Sequence, residues 1–366
     1  MASDRLLIGT RKGLVTYRRD GDSWAFERIA HLGHPVVYAI YDSRTGKTWA
    51  SLDHGHWGQK LHVSSDDGET WEEVAAPAYP EGEVVKDRTR DGAEVPATTR
   101  YIWVIQPGPA SEPETLYVGT EPGGLFVTRD GGASFELVSG LWNHPSRLDG
   151  WFGGGRDMAA IHSIWLDPAD SNRVLVAISC AGVFETLDGG ASWHPMNKGL
   201  QADFLPDKDS EVGQDPHILA VSPSDPLVMW QQNHCGIYVS RDGSKSWNMV
   251  SEDGGPAHFG FAVAVHPTKP GTAWVVPALS DERRVAIDGA VCVCRTDDFG
   301  ASWTAQRNGL PQHNAHDLTY RHALDVSDET LVFGTTSGNL YVSADGGEAW
   351  TALSNNLAPV YSVRFG

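Results

Sequence analysis

Apolar and polar positions alternate in short runs along most of this 366-residue chain, and glycine, proline and asparagine punctuate them. Residues 162–193 show one cycle: HSIWLDP, a polar turn ADSN, RVLVAIS, a glycine turn CAG, VFETLDGG, then ASW. Period-two alternation with β-branched and aromatic residues predicts a strand for each run, and the turn residues predict hairpins. A fourth strand is expected after ASW. No segment sustains the 3.6-residue period of a helix.

The third run of each cycle ends in nearly the same eight letters. SSDDGETW (64–71) returns as TRDGGASF (128–135), TLDGGASW (186–193), SRDGSKSW (240–247), TDDFGASW (296–303) and SADGGEAW (343–350). The closing aromatics are 64, 58, 54, 56 and 47 residues apart, and a weaker copy, RRDGDSW, ends at Trp24. A repeat near 50 residues made of short strands predicts a propeller with one four-stranded blade per repeat. Aligned on the box, the first strands are VYAIYDS (37–43), YIWVIQP (101–107), HSIWLDP (162–168), HILAVSP (217–223), FAVAVHP (261–267) and HDLTYRH (316–322). The chain begins directly with a second-strand pattern, LLIGTRKG, and ends in VYSVRFG (360–366). The C-terminal strand is therefore expected to complete the first blade, which removes an open sheet edge. The expectation is an all-β, seven-bladed propeller forming one domain. Its antiparallel blades fall at 360–366 with 5–30, 35–76, 101–140, 160–198, 217–251, 259–306 and 316–355.

Each box residue suits a hairpin between third and fourth strands. The Asp accepts hydrogen bonds from its own turn, the Gly permits a positive φ, and the Trp buries a large ring. This Ser/Thr-x-Asp-x-Gly-x-Ser/Thr-Trp pattern resembles the Asp-box, or bacterial neuraminidase repeat, of sialidases, other glycosidases and sortilin-like receptors. Ser244 replaces the glycine in one copy and Ala349 the hydroxyl residue in another. The stretch GQDPHILAVSPSDPLVMWQQNHCGIYVSRDG (213–243) is similar to a bacterial group of sialidase-like, glycosyl hydrolase repeat propellers. The resemblance implies that the boxes hold the fold together on the face opposite any active site. It implies a hydrolase acting on a small molecule or glycan. A true sialidase would also carry an Arg-Ile-Pro motif near the N-terminus, and none is present.

Charge and composition narrow the partners. A net charge of −19 argues against nucleic acid and anionic membranes, since phosphate binding needs a basic surface. No run approaches 18 apolar residues, and the N-terminus lacks the basic and apolar regions of a signal peptide. Four cysteines do not make a disulfide framework, so a cytoplasmic location is expected.

Function is expected on the rim opposite the boxes, where the long segments 76–100, 140–160, 199–216, 279–290 and 307–315 fall. The first-strand and middle-turn positions would bring His54, His56, His162, His217, His234 and His316 to a channel mouth as ligands for a divalent transition metal. The same histidines also suit acid–base chemistry or a polar lining. Cys180 and Cys235 lie in the same turns. A glycosidase needs paired carboxylates. The candidates are Asp53, Glu121 and Asp317, with Asp157 and Asp215 on the same expected rim. Substrate contacts are assigned to Arg11, Trp57, Tyr101, Trp103 and Arg283, with Arg147, Arg156, Arg284, Trp142 and Trp151 nearby. Trp49, Trp165, Trp230 and Trp274 read as core. The alternative is a non-catalytic propeller that binds a ligand or docks a protein.

Overall fold

The computed structural model describes residues 3–87, 91–154 and 156–366. Residues 88–90 of the expected 76–100 loop and residue 155 of the 140–160 loop lie outside the described residues. The architecture is a seven-bladed β-propeller of four-stranded antiparallel sheets. The chain divides into two compact units. One comprises residues up to Ala39 with His217–Gly366, and the other Ile40–Pro216.

In the first unit, the N-terminal sheet runs Ser23–Ala30, Gly13–Asp20, Arg5–Thr10 and then Val360–Phe365. The last strand pairs antiparallel with the first, from Leu6 opposite Phe365 to Thr10 opposite Val360. The C-terminus thus completes blade one as the pattern predicts. The sheets of blades five, six and seven follow in the same unit. Trp274 lies at the heart of its core, fully buried among Val276, Val293, Leu331 and Phe333, with its indole N–H donating to the Gly346 carbonyl at 2.9 Å.

The first strand of blade seven is Leu324–Ser327, eight residues beyond the expected start at His316. The apolar residues of HDLTYRH pack sideways instead of pairing. Leu318 and Tyr320 join Phe259, Phe261 and Ala278 in a separate hydrophobic cluster. His316 is therefore an exposed residue of an irregular segment and opens no strand.

The second unit holds the sheets of blades three and four and most of blade two. It adds a two-stranded ribbon, Val84–Asp87 with Ala93–Pro96, and two single helical turns, Ser139–Trp142 and Arg147–Gly150. These additions come from the two long segments that interrupt the strand pattern.

The repeated box has one geometry throughout. In blade three, Thr128 Oγ1 donates to Asp130 Oδ1 at 2.7 Å and accepts the Gly132 N–H at 3.0 Å. Asp130 in turn accepts the Ser134 N–H at 2.9 Å and its hydroxyl at 2.6 Å. The same set recurs around Asp66, Asp188, Asp242 and Asp298. Asp345 keeps the Ser343 hydroxyl bond and the Ala349 N–H bond and loses only the second hydroxyl bond, because Ala349 has no hydroxyl. Gly132 has φ 91°, and Ser244 adopts φ 73° at the equivalent place, a conformation that strains a side-chain-bearing residue. Trp49, Trp230 and Trp274 are fully buried as core, and Trp165 is half-buried. Among the described residues no helix is long and apolar enough to cross a membrane.

Candidate functional site

Two of the three long segments of Ile40–Pro216 fold over one another and line a pocket of about 250 Å³. Lys86 comes from the ribbon; Trp142, Arg147, Trp151, Phe152 and Asp157 come from the 140–160 stretch; Pro122 and Gly123 close it. Trp142 is fully buried, although the pattern places it on the rim. Its indole donates to the Glu83 carboxylate, and its ring packs 4.8 Å from Tyr79. Tyr79 also meets Phe126 at 5.0 Å and shares a 2.7 Å hydrogen bond with Thr120 Oγ1, and its burial pushes the phenol pKa up. Gly123 and Gly124 are small for a reason. A Cβ on Gly124 would come within 2.3 Å of Tyr79 Oη, and one on Gly123 within 3.3 Å of Trp151. Trp151 stands on Phe184, ring to ring at 5.2 Å, and its N–H donates to Ser146 Oγ at 3.1 Å.

Behind the pocket lies a polar network. Glu121 immediately precedes Pro122, and its carboxylate is 1% exposed. It pairs with the Arg156 guanidinium, whose side chain is 41% exposed. Arg156 lies 4.3 Å over the Tyr101 ring and 5.9 Å from Trp103, and those two rings meet at 4.8 Å. Burial pushes the Glu121 carboxyl up from its ordinary value, and Arg156 opposes that shift. Arg100 sits 3.4 Å from Asp87 and 3.7 Å from Asp157. Lys86 and Asp149, both lining the pocket, form an ion pair between ribbon and helical turn.

The structure thus brings together Glu121, Tyr101 and Trp103 with Arg156, Asp157, Arg147, Trp142 and Trp151. It leaves Asp53, His54, His56 and Trp57 in a separate turn of the same unit. There Asp53 accepts from Gln59 Nε2 at 2.8 Å, and His56 packs on the exposed Trp57 at 5.3 Å. His162 is buried with both ring nitrogens engaged, by Ser163 Oγ at 2.9 Å and the Pro216 carbonyl at 2.8 Å. Asp215 accepts the Cys180 N–H at 3.0 Å. Lys86, Asp149, Phe152 and Met158 escaped residue-level reasoning, although their segments carried the signal of long interruptions.

In the other unit, His217 and His234 approach with ring centroids 5.6 Å apart. His217 stacks on Phe261 at 4.5 Å and bonds the Gly260 carbonyl through Nδ1 at 2.6 Å. His234 Nε2 is 3.5 Å from Asp281, and Arg284 lies 5.3 Å over Phe261. Asp317 accepts from Asn339 at 2.8 Å. Arg11 and Arg283 are exposed.

No family model matches the chain. In an alignment that covers 66% of its length, the chain is 25% identical to the oligoxyloglucan-reducing end-specific xyloglucanase of Emericella nidulans. It spans 32% of that relative, about a third. An ancestral GH74 enzyme is similar in structure, with a TM-score of 0.59 and 16% identity over 90% of this chain and 38% of the other. So is YCF48 bound to D1 peptide, with a TM-score of 0.54 and 13% identity over 92% of this chain and 87% of the other. The shared property is the propeller fold. The propeller neighbours thus include glycoside hydrolases as well as YCF48, and fold alone does not choose between their roles.

Proposed function

We propose that the pocket of Ile40–Pro216 is a carbohydrate site of glycoside-hydrolase type. The observation that supports this reading is Glu121, a buried carboxyl with a raised pKa, set immediately before the lining residues of an aromatic-walled pocket. A glycosidase needs one carboxyl that retains its proton for the leaving oxygen and a second carboxylate on the other side of the bond. Glu121 takes the first role. Asp157, exposed on the pocket wall and near Arg100, takes the second. Trp151 and Phe152 offer apolar faces for a sugar ring. In this proposal the box is the Asp-box of the bacterial neuraminidase repeat, with a structural role only. The sugar specificity named for the xyloglucanase relative is one starting point for substrates.

The test is release of reducing ends from a panel of glycans that includes xyloglucan oligosaccharides. Glu121→Gln is expected to lower turnover about 100-fold or more while binding persists. A wild-type chain that binds sugars without turning any over would favour the non-catalytic, ligand- or peptide-docking reading. A divalent-metal site rests on the His217–His234 pair. Metal content by mass spectrometry that is unchanged in His217→Ala and His234→Ala would end that reading.

A further inference from the structure

Among the described residues, the cations around the pocket are paired with one exception. Lys86 meets Asp149, Arg100 meets Asp87 and Asp157, and Arg156 meets Glu121. Arg147 is held differently. Its Nη1 donates to the Val84 carbonyl at 3.0 Å and its Nε to the Trp142 carbonyl. Its guanidinium lies 3.8 Å over the Trp142 ring. These contacts fix the group but supply no counter-charge. Among the described residues no carboxylate lies within ion-pair distance of Arg147, and its Nη2 makes no hydrogen bond. Glu83, a nearby acid, accepts from Trp142 Nε1 instead. Desolvation pushes the guanidinium pKa down, and the charges of Glu83 and Tyr79, near but not in ion-pair contact, oppose that shift.

A planar guanidinium fixed on one side by carbonyls and an indole presents its remaining donor in a rigid fork, which suits a carboxylate. The pocket's volume, about 250 Å³, is below the roughly 300–1,000 Å³ of sites for drug-sized ligands. One ring-sized molecule fits that space. We propose that the pocket takes a small ligand bearing a carboxylate, anchored by Arg147, and that in the carbohydrate reading this ligand is a uronic acid. The sugar part rests on the function proposed above; the anchor rests on Arg147 alone.

The experiment is isothermal titration of the full chain with glucuronate, its uncharged analogue glucuronamide, and benzoate. Glucuronate is expected to bind about tenfold or more tighter than glucuronamide. Arg147→Met should erase that preference, and Arg147→Lys should keep part of it. Equal binding of glucuronate and glucuronamide overturns the anchor and leaves the carbohydrate reading standing. Benzoate binding that depends on Arg147, with no sugar bound, supports the anchor and removes the carbohydrate reading. Failure of all three ligands to bind overturns both. Arg147 ties the ribbon to the helical turn, so Arg147→Met could fail to fold. In that event the wild-type preference and Arg147→Lys decide.

Discussion

Arg156→Met tests how the site holds its buried carboxylate. Glu121 is 1% exposed and ion-paired with Arg156, whose side chain is 41% exposed. Removing one partner of a fully buried pair costs about 3–5 kcal/mol. Solvent screening at the half-open arginine reduces the expected loss to about 1–2 kcal/mol, or roughly one further unit of pKa. The sign follows from the raised pKa of Glu121. A carboxyl whose folded pKa exceeds its unfolded value adds most stability below the unfolded pKa, near 4.3, and loses it as pH rises through the folded pKa. Without Arg156 the folded pKa rises further, so the loss on raising pH is larger. The variant should match wild type at about pH 4 and fall short by the full amount at about pH 8. Urea unfolding followed by tryptophan fluorescence at both pH values measures this. An equal deficit at both would refute the reasoning, because a deficit independent of pH reflects lost packing on Tyr101 and not an uncompensated charge.

Other expectations concern the scaffold. Hydrogen bonds from their own turns hold the Asp66 and Asp130 carboxyls at about 2, with neighbouring boxes shifted the same way. Their contribution is present above the unfolded pKa near 3.9 and is lost as pH falls toward about 2. Urea midpoints recorded across that window should drop steeply for wild type, and less so for a chain with Asp66 and Asp130 both changed to Asn. Ser244→Gly should raise stability by about 1 kcal/mol, since it removes a left-handed serine from a box where other copies carry glycine. An unchanged urea midpoint would mean that its hydroxyl bond to Gly243, 2.5 Å long, offsets the strain. Trp274→Ala should cost about 3–5 kcal/mol, because it empties a fully buried site and removes the shortest hydrogen bond to the Gly346 carbonyl. A thermal-melt shift corresponding to less than about 1 kcal/mol would show that the core collapses around the gap.

The site was legible in its parts and not in its assembly. Glu121, Tyr101 and Trp103 could be named because they fall at strand ends in a countable repeat. Arg156 and Glu121 are 35 positions apart, and no local pattern couples a strand end to an irregular loop. Trp142 reads as a rim aromatic by position, yet it is buried under Arg147, because two interrupting segments make a small core of their own. His162 reads as a metal ligand by its column, yet neighbouring polar groups take both ring nitrogens. His316 reads as the start of a strand because its segment alternates, but Leu318 and Tyr320 pack on apolar partners beside them.

The sequence by itself determined the blades, their number and the closure of the first blade by the last strand. It could do so because strand pairing between neighbours depends on local alternation and on turns whose chemistry repeats. Only the tertiary structure decided which charges meet which, and that Arg147 is held by carbonyls and an indole with no carboxylate in ion-pair contact among the described residues. Those outcomes depend on long segments crossing one another, where burial and desolvation, not periodicity, set the energy of each group.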